Sequence, residues 1–244
     1  MPDLVENTLS LIVPTLNEAG NIDTLLAAVN QALSQTHYEY EIIVVDDGST
    51  DGTVELVKKW SAADARIRLL PRSGERGLAG AVLYGWSQSH AKLLGVIDAD
   101  MQHPPELLPR LLDAAEQADI AVASRYAHDR GLEGWNPIRV AVSRLSTLVA
   151  SPLIQNKTFR VTDPMSGFFI IHARCIEGLT FQTTGFKLLL EILVRGRIRT
   201  AREVPYQFGL RHAGTSKANA TVALHYLHLL SRLSRDMVLR SSAP

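Results

Sequence analysis

A single cysteine, Cys175, in 244 residues excludes an internal disulfide framework and any CxxC metal knuckle, and so fits a reducing, cytosolic setting. Aromatic residues make up only 6% of the chain. Its arginines therefore have no interleaved rings on which bases could stack, and nucleic acid is not expected as a partner. No apolar run reaches the ~18 to 20 residues that a membrane-spanning helix needs. The opening MPDLVENTLS carries acidic residues and no basic stretch, unlike a secretory signal. Neither GxGxxG nor GxxxxGK[ST] occurs, which removes support for Rossmann redox chemistry and for P-loop hydrolysis. No Ser-His-Asp or Cys-His grouping suggests a covalent nucleophile.

What is present describes one large α/β domain. Apolar residues at 46% and charged residues at 20% are those of a globular chain with a substantial core. The formal charge of zero hides a division. Residues 1–124 hold 8 basic and 18 acidic side chains and residues 125–244 hold 17 and 7, a net of −10 against +10. Such a split favours a cleft with oppositely charged walls, or a basic face turned to anionic lipid.

Short runs rich in Val, Ile and Leu at 9–14, 41–45, 67–71, 93–97 and 119–123 do not alternate with polar residues, as expected for strands of a parallel sheet buried on both faces. Helical stripes fall between them: Ile22, Leu25, Leu26, Val29 and Leu33, then Val54, Val57 and Trp60, then Leu107, Leu108, Leu111 and Leu112. A helix is also expected over 79–90. Later segments predict an amphipathic helix at 138–154 ending near Pro152, a buried helix at 186–194, a strand at 203–208 with Pro205 at an edge or end, and an amphipathic helix at 221–240. The expected domain layout is a catalytic unit over 1–220 followed by a C-terminal amphipathic helix over 221–244, with no transmembrane segment.

In such sheets ligands collect beyond the carboxyl ends of the strands, where four polar loops follow the first four runs. Asp98 and Asp100 stand two apart after the fourth. Their hard oxygens, with Gln102 as a neutral third donor, suit Mg²⁺ or Mn²⁺ and leave coordination positions for a diphosphate; the plainer alternative is that they cap the next helix. Asp46 and Asp47 can accept hydrogen bonds from a base or ribose, and Gly48 permits close approach. Asp51 reads as an N-cap. His103 is left out of the site as a cap or surface residue, and Glu191 reads equally as a buried partner for an arginine or a neighbour of the acceptor.

Taken together, VPTLNEAGNI (13–22), VVDDGSTDGT (44–53), SGERGLAGAV (73–82), DADMQHPPE (98–106), ASRY (123–126), DPMSGF (163–168), GFKLLLEIL (185–193) and EVPYQFGLRHAGTSK (203–217) closely resemble the family 2 glycosyltransferases, and within them the dolichol-phosphate (polyprenol-phosphate) mannose synthases. The resemblance implies a GT-A fold that moves a sugar, most simply mannose from GDP-mannose, onto a polyprenyl phosphate at the cytosolic face of a membrane, where the chain is peripheral. It assigns the metal to Asp98, Asp100 and Gln102, and the nucleotide to Pro14, Asn17, Glu18, Asp46, Asp98 and Asp100. The phosphates go to Arg125, Arg139, Ser143, Arg211 and Lys217, with Asp100, Arg125 and Arg139 central to catalysis. Arg76 and Ala79 depart from the Lys and Gly common in relatives. A UDP-sugar donor, or a non-catalytic nucleotide-sugar-binding role, are the competing expectations, and a membrane-protein partner has a place in the scheme.

An anionic phosphate acceptor needs no general base. The reaction needs alignment of two charged substrates and relief of their repulsion, and one in-line displacement inverts the anomeric centre.

Overall fold

The computed structural model describes residues 5–73, 77–127, 146–154, 158–181, 187–207 and 229–235. Its centre is a seven-stranded sheet of β1 (Val5–Thr15), β2 (Glu39–Asp46), β3 (Ile67–Pro71), β4 (Ala91–Val96), β5 (Ile120–Ser124), β6 (Phe169–His172) and β7 (Ala201–Pro205), in the order β3-β2-β1-β4-β6-β5-β7. All pairings are parallel except those of β6 with β4 and β5. Helices α1 (Ile22–Leu33), α2 (Thr53–Ala63), α3 (Leu78–Ser87), α4 (Leu108–Glu116) and α5 (Leu188–Arg195) cover the sheet.

Two cores result from the period of two along each strand. Ile42 and Val44 of β2 join α1 and α4 on one face, and Ile43 and Val45 join α3 and α5 on the other. The expected α1 stripe is wholly buried, at 0% exposure for Ile22, Leu25, Leu26, Val29 and Leu33. The run at 67–71 departs from expectation. It forms the edge strand β3, covered on one side only by β2, and most of it is half-buried. β6 has no counterpart among the expected strands, although Phe168 to Ile171 is an unbroken apolar run after a glycine. The cap of α2 is Gly52 at φ 98 rather than Asp51, and α3 ends at Ser87. β7 ends on Pro205 at the sheet edge, as its proline requires.

Of the helix expected at 138–154, residues 146–150 are helical and pass into a 3₁₀ turn at Ser151–Leu153; 138–145 lie outside the described residues. Of 221–240, residues 229–235 are helical, and their Leu229, Leu230 and Leu233 are buried in the second core. Over that stretch the apolar stripe meets protein. No helix among the described residues is long and apolar enough to cross a membrane.

Asp119, at the entry to β5, ties three segments together. It accepts from the Arg199 and Thr200 amides at 2.9 and 3.1 Å and from Arg174 Nη2 at 2.8 Å. Burial opposes its ionisation, but the Arg199 amide, Arg174 and the Thr200 amide prevail and hold the carboxyl at about 2. A folded pKa depressed below the unfolded value stabilises above that unfolded value, near 4, and the contribution is lost as pH falls toward 2. Asp119→Asn is expected to cost about 2 kcal/mol at neutral pH and to flatten the acid limb between about pH 4 and 2. Urea unfolding across pH checks both, and an unchanged acid limb would refute the assignment.

Candidate active site

The mixed sheet places the site. β1, β2, β3, β4, β5 and β7 run in one direction, and β6 runs against them. The residues after β1, β2, β4, β5 and β7 and those before β6 therefore share one rim. Val96 pairs with Phe169, so continuing that antiparallel register by two residues sets Asp98 opposite Gly167.

The side of the rim that carries the expected nucleotide residues is two loops bound to each other. The Thr15 hydroxyl donates to Asp46 Oδ2 at 3.1 Å, and the Asn17 amide donates to Ser49 Oγ at 2.8 Å. Asn17 Oδ1 accepts from the Thr50 amide at 2.9 Å, with Asn17 held at φ 57, a conformation asparagine tolerates better than most side chains. The Glu18 amide donates to Thr53 Oγ1, and the Ala19 amide to Asp51 Oδ2. Asp51 thus serves structure. Asp46 is buried at 1% exposure and accepts from the Gly48 and Ser49 amides at 3.0 and 2.8 Å and from the Ser49 hydroxyl. Asp47 grips Arg72 with both oxygens, at 2.6 and 2.8 Å, and accepts from the Gly77 amide at 2.8 Å. Both carboxylates are therefore occupied in shaping the loops, where the sequence suggests ligand contact. Pro14 ends this wall of the site, paired with Val45.

Asp98, Asp100 and Gln102 occupy a tight turn after β4, in which Met101 sits at φ 61 and the Gln102 amide donates to Asp100 Oδ1 at 3.1 Å. Neither aspartate caps the following helix, whose first flanking residue is Pro104 with no side-chain cap. A Cβ added at Gly167 would stand 2.3 Å from Asp98 Oδ2, so only glycine allows the carboxylate its position. Among the described residues no group of three His, Cys, Asp or Glu side chains forms a metal cage. Two carboxylates and an amide oxygen instead fit a hard divalent ion whose remaining ligands come from substrate phosphate and water.

His103 is neither cap nor surface residue. It is buried, its Nδ1 3.6 Å from Asp98 Oδ2 and its ring against Phe168 and Tyr206 at 5.7 and 5.8 Å. Burial first and Arg125 second push its pKa down to about 3, so the ring is neutral at physiological pH.

Arg125 forms a fork with buried Asp163, Nε to Oδ2 and Nη2 to Oδ1, both 2.7 Å. Glu203 braces the partner by accepting from the Asp163 amide at 3.1 Å. This pair fixes the guanidinium plane at the rim. The Tyr206 ring packs on His103. Burial chiefly raises the Tyr206 pKa, and the phenol lies in the combined field of Arg125, Asp163, Asp98 and Asp100. Half-buried Lys187, just before α5, lies in the field of Arg125, Asp163 and Asp98; burial and then Arg125 lower its pKa. The structure thus joins Asp98, Asp100 and Gln102 with Arg125, and adds Lys187, Asp163, Gly167 and His103. Arg139, Ser143, Arg211 and Lys217 lie outside the described residues.

Beside Arg125 opens a cleft of about 720 Å³, lined by Tyr126, Leu148, Ile154, Phe159, Arg160 and Pro164 among others. Leu148 on its wall is 67% exposed and the neighbouring Val149 47%.

Comparison with known proteins gives the fold and the family. The solved glucosyl-3-phosphoglycerate synthase of Mycobacterium tuberculosis, in complex with Mn²⁺, UDP-glucose and phosphoglyceric acid, superposes with a TM-score of 0.66 at 19% identity, over 94% of this chain and 80% of that one, which shows the GT-A fold. Dolichol-phosphate mannosyltransferase of Pyrococcus furiosus is 36% identical over 93% of this chain and 63% of its own length. That of Saccharomyces cerevisiae is 35% identical over 92% of this chain and 86% of its own. Residues 10–180 match the glycosyl transferase family 2 domain, and with relatives this similar across nearly its whole length, the chain belongs to glycosyl transferase family 2.

Proposed function

We propose that the protein is an inverting, metal-dependent glycosyltransferase that moves mannose from GDP-mannose to a polyprenyl (dolichyl) phosphate, working peripherally at the cytosolic face of a membrane. The observation that carries this is the meeting, on one rim, of the Asp98–Asp100–Gln102 turn after β4 with Arg125 after β5, forked on Asp163 in the segment whose Gly167 lies against Asp98. The named relatives act in the same sense by their names.

Asp98, Asp100 and Gln102 would hold Mg²⁺ or Mn²⁺, which supplies charge neutralisation to the departing nucleoside diphosphate. Pro14, Asn17 and Glu18 line the nucleotide, and Asp46 shapes the loop that receives it. Lys187 faces the donor diphosphate, and Arg125 orients the incoming phosphate with its plane fixed by Asp163. Arg139, Ser143, Arg211 and Lys217 complete the phosphate grip. Two anions are brought together by fixed cations, so attack proceeds without a general base. The half-apolar cleft beside Arg125 suits the first isoprene units, and exposed Leu148 and Val149 suit a membrane surface. The basic second half of the chain, at net +10, suits anionic lipid.

Purified protein offered a panel of nucleotide sugars with polyprenyl phosphate and Mn²⁺ or Mg²⁺ is expected to use GDP-mannose best and to yield the β-linked product. Preference for a UDP-sugar would move the assignment to a sister activity. A retained configuration would refute direct displacement, and nucleotide binding without transfer would leave only a binding role.

A further inference from the structure

We propose that the C-terminal helical segment is a clamp on the donor side of the site: through the Arg232–Glu191–Arg195 cluster it fixes the helix that begins after Lys187, which makes Arg232 a positioning residue for nucleotide-sugar binding. The inference rests on the donor role proposed above for Lys187.

Glu191 is 0% exposed and sits between two guanidinium groups, Arg195 Nη1 at 3.4 Å and Arg232 Nη2 at 3.3 Å. Arg195 lies one turn further along α5, while Arg232 arrives from a segment 41 residues away in sequence. The same Arg195 donates from Nη1 to the Thr180 carbonyl at 3.0 Å. One carboxylate therefore links the C-terminal segment to α5, and Arg195 ties α5 in turn to the Thr180 carbonyl. Leu229, Leu230 and Leu233 are buried in the core that also holds Leu189, Ile192 and Leu193 of α5, so the ion pair is set in an apolar interface.

A leucine in place of Glu191 would pack such an interface without desolvating three charges, and buried ionic clusters are best known for fixing register between elements. Register is what Lys187 needs. It stands four residues before Glu191, one helical turn away, and belongs to the charge field of Asp98, Asp163 and Arg125. If the clamp slackens, α5 can slide or turn on its apolar face, and its amine leaves the diphosphate. Truncating Arg232 leaves Glu191 with Arg195, so the fold keeps one partner for the buried carboxylate.

The test uses the full chain with GDP or UDP and Mn²⁺ as probes, reading Kd by calorimetry, donor KM and kcat in the transfer assay, and thermal unfolding. Arg232→Gln is expected to weaken nucleotide binding and raise donor KM by about tenfold, with kcat little changed. In a Lys187→Ala background the same substitution is expected to add nothing, because the two act as one unit. Leu233→Ala, a packing control, should lower the melting temperature at least as much while the folded protein keeps its KM. An unchanged Kd and KM in folded Arg232→Gln overturns the proposal. So does an undiminished effect in the Lys187→Ala background, or an equal KM rise in Leu233→Ala. Should Arg232→Gln not fold, Arg232→Lys keeps the charge and loses the fork; it is expected to weaken binding by about threefold, and wild-type binding would overturn the clamp. A wild-type protein that binds nucleotide but transfers nothing defeats the functional reading and leaves the clamp testable by Kd. One that binds neither nucleotide overturns both.

Discussion

Asp100→Ala is expected to lower the rate of sugar transfer on the order of a thousandfold while leaving the protein folded. The carboxylate stands at the rim, half-buried, in the turn held by Met101 at φ 61, and it is absent from both hydrophobic cores. Its removal therefore touches little packing, and a surface substitution of this kind rarely costs more than about 0.5 kcal/mol. What would disappear is one of the two charged oxygen donors proposed for the divalent ion, at a site where the described residues offer no third carboxylate to take over. A more weakly held cation would leave the charge of a departing diphosphate unrelieved and would leave an acceptor phosphate repelled. Asp100→Asn separates charge from shape: it keeps the hydrogen-bonding outline around the Gln102 amide and is expected to lose nearly as much. Product formation under saturating donor and Mn²⁺, together with thermal unfolding, checks both. Retention of a tenth or more of wild-type activity in either variant would remove Asp100 from the machinery.

Gly167→Ala is expected to be the second largest effect, and it comes from a residue with no chemistry of its own. A methyl group 2.3 Å from Asp98 Oδ2 and 2.8 Å from its Cγ overlaps the carboxylate deeply, so Asp98 must shift by about 1 Å, a displacement that at a reacting centre costs about a hundredfold in rate. Backbone conformation is no obstacle, because Gly167 has no left-handed φ. The damage is thus confined to the space shared with Asp98. Loss of Mn²⁺-dependent nucleotide binding with a modest drop in melting temperature is the expected signature. A double variant, Gly167→Ala with Asp98→Ala, should be no worse than Asp98→Ala alone, since the carboxylate that the methyl displaces is already gone. An additional loss in the double variant would show that Gly167 acts elsewhere.

The candidate site was legible in part. The DxD pair after a buried strand, and the polar loops after the first runs, pointed to one rim because a parallel sheet has only one carboxyl edge. Two surroundings are visible only in the folded chain. Asp46 and Asp47 read as acceptors, and in the fold they accept from amides of their own loop and from the Arg72 guanidinium. His103 looked like a cap, yet it is buried between Phe168 and Tyr206. For Asp47 and His103 the deciding partners, Arg72, Phe168 and Tyr206, lie far along the chain, and spacing between near neighbours carries no information about them.

The sequence by itself determined the α/β character, the succession along the chain of the first five strands and their helices, and the carboxylates that end up at the strand ends. Those follow from short-range periodicity and from the need to bury apolar faces. The tertiary structure alone decided that β6 enters antiparallel between β4 and β5, and hence that Gly167 lies against Asp98 and Asp163 grips Arg125. It also turned the stripe of residues 229–235 toward protein. These are long-range pairings set by packing the whole sheet and its two cores, and no local pattern specifies which distant segment will fill a given space.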